Sequence, residues 1–156
     1  MKMIGIIFLC LSGLWLASVL IKREEMRVCC VTSLVRLVEA AKRAVENYSM
    51  TASEILMSCE EELICGCGYC GEQRPESFLE MSRLCDIDDE ESRRIFSEFA
   101  QDFGKNYRER QTEKCEDCVL KLKLREEQLS ERLAVRKKLI LCGCASFSLA
   151  AVILLL

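Results

Sequence analysis

The chain contains no histidine. That removes the commonest general base and the commonest metal ligand together. Proline occurs once, at Pro75, and glycine only seven times, so little interrupts a helix. There is no Gly-rich phosphate loop, no nucleophile elbow and no converging pair of acids on a defined frame. A formal net charge of −3 supplies none of the strongly basic surface that nucleic acid requires. These absences argue against an enzyme, a small-molecule substrate and a nucleic-acid partner.

Charge is what the two ends lack. Ile4 to Ile21 and Leu139 to Leu156 are uncharged apolar runs of 18 residues each. As a helix, such a run covers about 27 Å, at the short end of what spans a bilayer. The first run is longer than a signal-peptide core, and no A-x-A cleavage pattern follows it. Nearly all Lys, Arg, Asp and Glu lie between the runs. The expected organisation is a transmembrane helix over residues 1–21, a helical bundle over 22–138, and a second transmembrane helix over 139–156. Lys22 and Arg23 follow the first run, and Arg136, Lys137 and Lys138 precede the second. By the positive-inside rule, these flanks place the middle domain in the cytoplasm and both termini outside.

Within the middle, Val31, Leu34, Val35, Leu37, Val38, Ala41, Val45 and Tyr48 recur at helical steps and form one wide apolar stripe. Thr51 and Glu54 form a capping box that starts a second helix through Ile55, Leu56 and Leu63. Pro75 suits the first turn of a third helix carrying Phe78, Leu79, Met81 and Leu84. Asp88, with Glu91 three residues on, caps a fourth that carries Ile95, Phe96, Phe99 and Phe103 and stops at Gly104. The last helix has a heptad-like seam: Cys115, Val119, Leu122, Glu126, Leu129, Leu133, Arg136, Ile140. It runs into the second apolar stretch without a breaker. The expected fold is all-α, with two transmembrane helices flanking a cytoplasmic antiparallel helical bundle. Its core centres on Leu34, Leu37, Ala41, Val119, Leu122, Leu129 and Leu133.

Twelve cysteines is a high count. Cys67-Gly-Tyr-Cys70 and Cys115-Glu-Asp-Cys118 are C-x-x-C pairs that could jointly complete a four-cysteine zinc site. Their separation of 44 residues is far from the usual short ribbon. The favoured reading treats Cys as a small core residue, with no metal and no cofactor. A zinc-binding or redox-sensing membrane protein is the alternative. The acidic run Asp86 to Glu91 lacks the alternating ligands of a calcium loop; acids at a helix N-terminus explain it better.

The order of parts resembles the stage III sporulation protein AB family. The likeness lies in the opening Met1-Lys-Met-Ile-Gly5, Leu11-Ser-Gly13 in the first run and the helix Leu34-Val-Arg-Leu-Val-Glu39. It continues in Thr51-Ala-Ser-Glu54-Ile-Leu56, Phe99 to Phe103-Gly104-Lys105 and the charged helix Arg125 to Lys138, and ends in Val152 to Leu156. The resemblance implies a non-catalytic component of the complex linking mother cell and forespore, seated in the mother-cell membrane. Its soluble domain would be similar to the platform protein of type II secretion systems. Its partners would be the bilayer, other membrane proteins of the sporulation complex and a cytoplasmic assembly ATPase.

Overall fold

A computed structural model describes residues 2–48, 50–105 and 107–155, with side chains at 11–48, 50–105, 107–146 and 150. Among the described residues it holds six helices: α1 Lys2–Tyr48, α2 Ala52–Ser58, α3 Glu61–Gly66, α4 Phe78–Leu84, α5 Glu90–Asp102 and α6 Arg108–Leu155. No strand occurs among the described residues; a lone antiparallel bridge joins Tyr69 and Cys85. The fold is all-α. The chain divides into two compact units, one formed by residues 27–128 and the other by 1–26 with 129–156.

In the 27–128 unit, α1 buries the predicted stripe from Val31 to Val45, with Leu34, Leu37, Val38 and Ala41 fully enclosed, while Tyr48, expected to close the stripe at the last turn, is exposed. Opposite it, α6 buries Gln111, Cys115, Cys118 and Leu122. Val119, expected in the seam, is only half-buried. The heptad spacing selects 119, whereas a straight helix of 3.6 residues per turn brings 118 onto the inner line. The two helices run antiparallel. Lys42 pairs with Glu116 at 2.7 Å, and Glu39 with Lys123 at 2.7 Å. Thr32 Oγ1 donates to Glu126, so that charged seam position has a partner.

The shorter helices depart from expectation in three places. One helix was expected from Thr51 through Leu63; two are found, broken at Cys59 and Glu60, which are both extended. Arg74 Nη1 donates to the carbonyls of Met57 at 2.7 Å and Cys59 at 3.2 Å. Carbonyls taken at the end of α2 favour termination there. Pro75 does not sit in the first turn of α4. It is buried ahead of the N-cap, Ser77, which accepts from the Glu80 amide. The cap of α5 is Asp89, not Asp88, and it accepts from the Ser92 amide. Asp88 pairs with Arg27 at 3.0 Å instead. The capping box at Thr51 is present, and Gly104, with φ of 81°, follows the end of α5. Phe78 of α4 meets Phe99 at 5.4 Å and Phe103 at 4.5 Å between ring centres.

In the other unit, Ala17 and Leu129 are buried. Gly13, Ile21, Leu133, Ile140 and Cys144 are half-buried. Leu11, Leu14, Leu16, Val19, Leu20, Leu139 and Leu141 are exposed, and Trp15 is 70% exposed. Glu24 pairs with Arg136, and Glu25 with Lys137 at 2.6 Å. Among the described residues, no helix is long and apolar enough to cross a membrane. The expected runs 4–21 and 139–156 lie partly outside the described side chains, as do Met1 to Gly5, Cys10 and Val152 to Leu156.

Candidate functional site

The cysteines were the strongest chemical signal in the sequence. Three of them end the short helices: Cys59 caps α2, Cys67 caps α3 and Cys85 caps α4. Cys67 is fully enclosed, and its flanks explain why. A Cβ on Gly66 would fall 2.6 Å from Ser33 Oγ of α1, and one on Gly68 would fall 2.7 Å from the Asp86 carbonyl oxygen. Gly68 has φ of 81°, and its carbonyl accepts from the Asp86 amide at 2.8 Å. Cys67 is therefore wedged between α1 and the 85–87 segment. Burial is the largest cause raising its thiol pKa, followed by the neighbouring Cys85, Cys30 and Cys59 thiols. Burial likewise pushes Cys85 up to about 12 and Cys30 up to about 11.

Cys115 and Cys118 lie on the buried line of α6. Burial raises Cys118 to about 12 and Cys115 to about 11. Cys115 interacts with Gln111, Glu46 and Lys42. Gln111 Oε1 accepts from the Gly104 amide at 3.1 Å, while its Nε2 is buried, with no hydrogen-bonded oxygen or nitrogen among the described residues. Cys70 is exposed, its Sγ 3.4 Å from the Gly68 carbonyl oxygen. The zinc reading needed Cys67, Cys70, Cys115 and Cys118 to converge. Among the described residues, no group of three or more Cys, Asp and Glu is placed to hold a metal ion. The buried thiols stay protonated at neutral pH, the opposite of the lowered pKa that makes a cysteine reactive.

The remaining sequence-selected residues separate into a core and a flank. Leu34, Leu37, Ala41, Leu122 and Leu129 are buried; Val119 and Leu133 are half-buried. In the flanks, Lys22, Arg23 and Lys138 are exposed, and Arg136 and Lys137 hold Glu24 and Glu25.

Surface hollows lie on two faces of the 27–128 unit. A cleft of about 460 Å³ between α1 and α3 has Arg36 and Arg43 on one wall and Glu60 and Glu62 on the other. Along α5 and α6, hollows of about 220 and 230 Å³ share Ile95, Glu98 and Lys121. The charges around this second groove pair with one another: Lys114 with Asp102, Lys121 with Asp117, and Arg94 with Glu91.

The feature the sequence did not announce is the Asp89–Arg125 clamp. Arg125 of α6 donates through Nε at 2.9 Å and Nη2 at 2.6 Å to the two carboxylate oxygens of Asp89. Asp89 also accepts from the Ser92 amide at 2.9 Å and the Ser92 hydroxyl at 2.7 Å. The Arg125 hydrogen bonds, with smaller help from Ser92, hold this carboxyl well below its ordinary range against the cost of burial. One residue thus starts α5 and fastens it to α6. A run of acids at a helix start gave the only hint; the partner lies 36 residues away.

No protein family, curated protein or solved structure matches this chain.

Proposed function

We propose that the protein is a membrane-anchored, non-catalytic platform component, with a cytoplasmic helical bundle held by two transmembrane helices. One observation carries the reading. Leu11, Leu14, Trp15, Leu16, Val19 and Leu20 are consecutive or nearly so and all exposed, as are Leu139 and Leu141. A helix apolar on every side belongs in a protein interior or in lipid. At about 25 cal/mol per Å² of apolar surface, water is a costly medium for such a face. The described side chains cover only part of each run, fewer than the ~20 residues a span needs. The basic flanks support a cytoplasmic bundle. Resemblance to the stage III sporulation protein AB family supports placing it in the mother-cell membrane, beside other membrane subunits of the sporulation complex and an assembly ATPase.

Two anchors on one domain fix which face it presents and keep it concentrated at the membrane. Deleting residues 139–156 should therefore abolish assembly even where the truncated chain accumulates normally. The test compares sporulation efficiency and co-purification of the ATPase at matched protein levels. Undiminished co-purification would refute the two-anchor mechanism. Single-cysteine chains carrying Glu46→Cys or Arg110→Cys should resist a membrane-impermeant maleimide in intact cells. Ready labelling before lysis would overturn the topology.

A further inference from the structure

Charge is unevenly spread over the 27–128 unit. It holds 22 Asp and Glu against 15 Lys and Arg, a formal −7. The ion pairs within it join α1, α5, α6 and the segment just before α5. Residues 51–85 carry seven Glu against Arg74 and Arg83, all seven Glu exposed and none in an ion pair among the described residues. The two Arg74 hydrogen bonds bring the 72–76 loop against the end of α2. Glu60, Glu61 and Glu62 follow the end of α2 beside Met57, which is 61% exposed, and Glu72 and Glu76 flank Arg74. Glu60 and Glu62 line the cleft opposite Arg36 and Arg43, so Glu61, Glu72 and Glu76 are the acids of this anionic patch that face no cation of that cleft.

The opposite character appears where α1 ends and α6 begins. Arg108 and Arg110 are exposed and make no ion pair among the described residues, with Glu109 the acid between them; Lys105, also exposed, helps lower the Asp102 carboxyl pKa. Tyr48 is 76% exposed and Tyr107 92%. Exposed Tyr and Arg together are the residues most often found as anchors of protein interfaces.

We propose that this cationic, tyrosine-bearing end docks on the anionic patch of a second copy of the chain. The seven residues of α2 span about 10 Å, and they separate the basic end from the acidic patch within one copy. A two-fold axis passing beside α2 lets both contacts form at once, with Met57 near the axis. The interface is then isologous and closes as a dimer rather than extending as a filament.

The test uses the full chain purified in detergent, with association followed by sedimentation velocity and native mass spectrometry. The basic-end variant is Arg108→Glu with Arg110→Glu; the patch variant is Glu61→Lys with Glu72→Lys. All four residues are exposed and make no hydrogen bond through their side chains, and circular dichroism checks that each variant keeps its helix. Wild type should show a monomer–dimer equilibrium by about 0.1 mM that weakens with added salt. Each variant alone should dimerise about tenfold more weakly or worse, since like charges then face each other. Mixing the two variants should restore association as a 1:1 heterodimer, because each reversed face then meets its complement. A monomeric wild type overturns the proposal. So does a dimer indifferent to salt and to both reversals, which is what pairing through the apolar helices would give. Failure of the mixture to recover overturns it too.

Discussion

Arg125→Ala is the sharpest test of what holds α5 in place. The substitution leaves the Asp89 carboxylate with only the two Ser92 donors, in a site where the paired side chains are 10% and 18% exposed. A solvent-exposed pair would be worth about 0–1 kcal/mol, and removing one partner of a fully buried pair costs about 3–5 kcal/mol. The exposure here sets the expectation between these, at about 2–3 kcal/mol for Arg125→Ala. Asp89→Asn should cost less, about 1–2 kcal/mol, because asparagine caps a helix as well as aspartate does. The cycle of Arg125→Ala, Asp89→Ala and the double variant isolates the pair, with about 2 kcal/mol of coupling expected. The readout is thermal unfolding by circular dichroism, with a shift of about 10 °C for the arginine variant. Amide exchange should accelerate in α5 before the rest of the bundle. Because the folded carboxyl is held below its ordinary value, its stabilisation is fully present well above about pH 4. It is lost as pH falls through the folded pKa. Asp89→Asn should therefore flatten the decline of stability below about pH 5. A coupling under about 0.5 kcal/mol, with unchanged exchange in α5, would show the clamp to be an ordinary screened surface pair.

Leu37→Asp should unfold or nearly unfold the 27–128 unit, because Leu37 has no exposed surface and an unpaired buried charge costs more than such a domain can spare; a cooperative melt near the wild-type midpoint would contradict this. Among the thiols of that unit, Cys29, Cys65 and Cys70 should react with a disulfide reagent within the native state, and Cys67, Cys85, Cys115 and Cys118 only on unfolding. Cys65→Ser with Cys70→Ser should move the melting midpoint little, whereas Cys67→Ser, which places a hydroxyl in a closed site, should lower it measurably. Thiols raised by burial contribute stability that is fully present below about pH 8.5. It is lost as pH rises through the folded values, about 12 for Cys118. The midpoint should fall over that range, and less steeply in Cys118→Ala.

Helices and apolar faces were readable because they depend on neighbours three and four residues apart. The α1 stripe as far as Val45, the Thr51 capping box and the stop at Gly104 follow from local spacing, and the structure contains each of them. What failed depended on distant groups. Nothing within residues 51–66 announces a break at Cys59; Arg74, lying beyond the loop, takes the carbonyls that end α2. By spacing Asp88, with Glu91 three residues on, is the better cap, yet the cap is Asp89, the residue that Arg125 grips. The seam position slipped from 118 to 119 because a heptad count assumes supercoiling that a single antiparallel pair does not require. The cysteines show the same limit from the other side. Their spacing suggested two ligand pairs, yet the chain packs Cys67 toward Cys85 and Cys30 and leaves Cys70 at the surface.

The basic flanks carry a further lesson, about when a charge acts. In the folded chain Arg136 and Lys137 are matched by Glu24 and Glu25, so the folded flank is less cationic than its sequence. Orientation in a membrane is decided by Lys and Arg during insertion, with little contribution from acids. On the proposed membrane reading, the same residues set topology first and then hold the two helices together as ion pairs. On that argument the acids beside the basic residues do not weaken the topology signal. They show that the two flanks are complementary as well as basic: the Glu pair follows the first run, and its Arg and Lys partners precede the second.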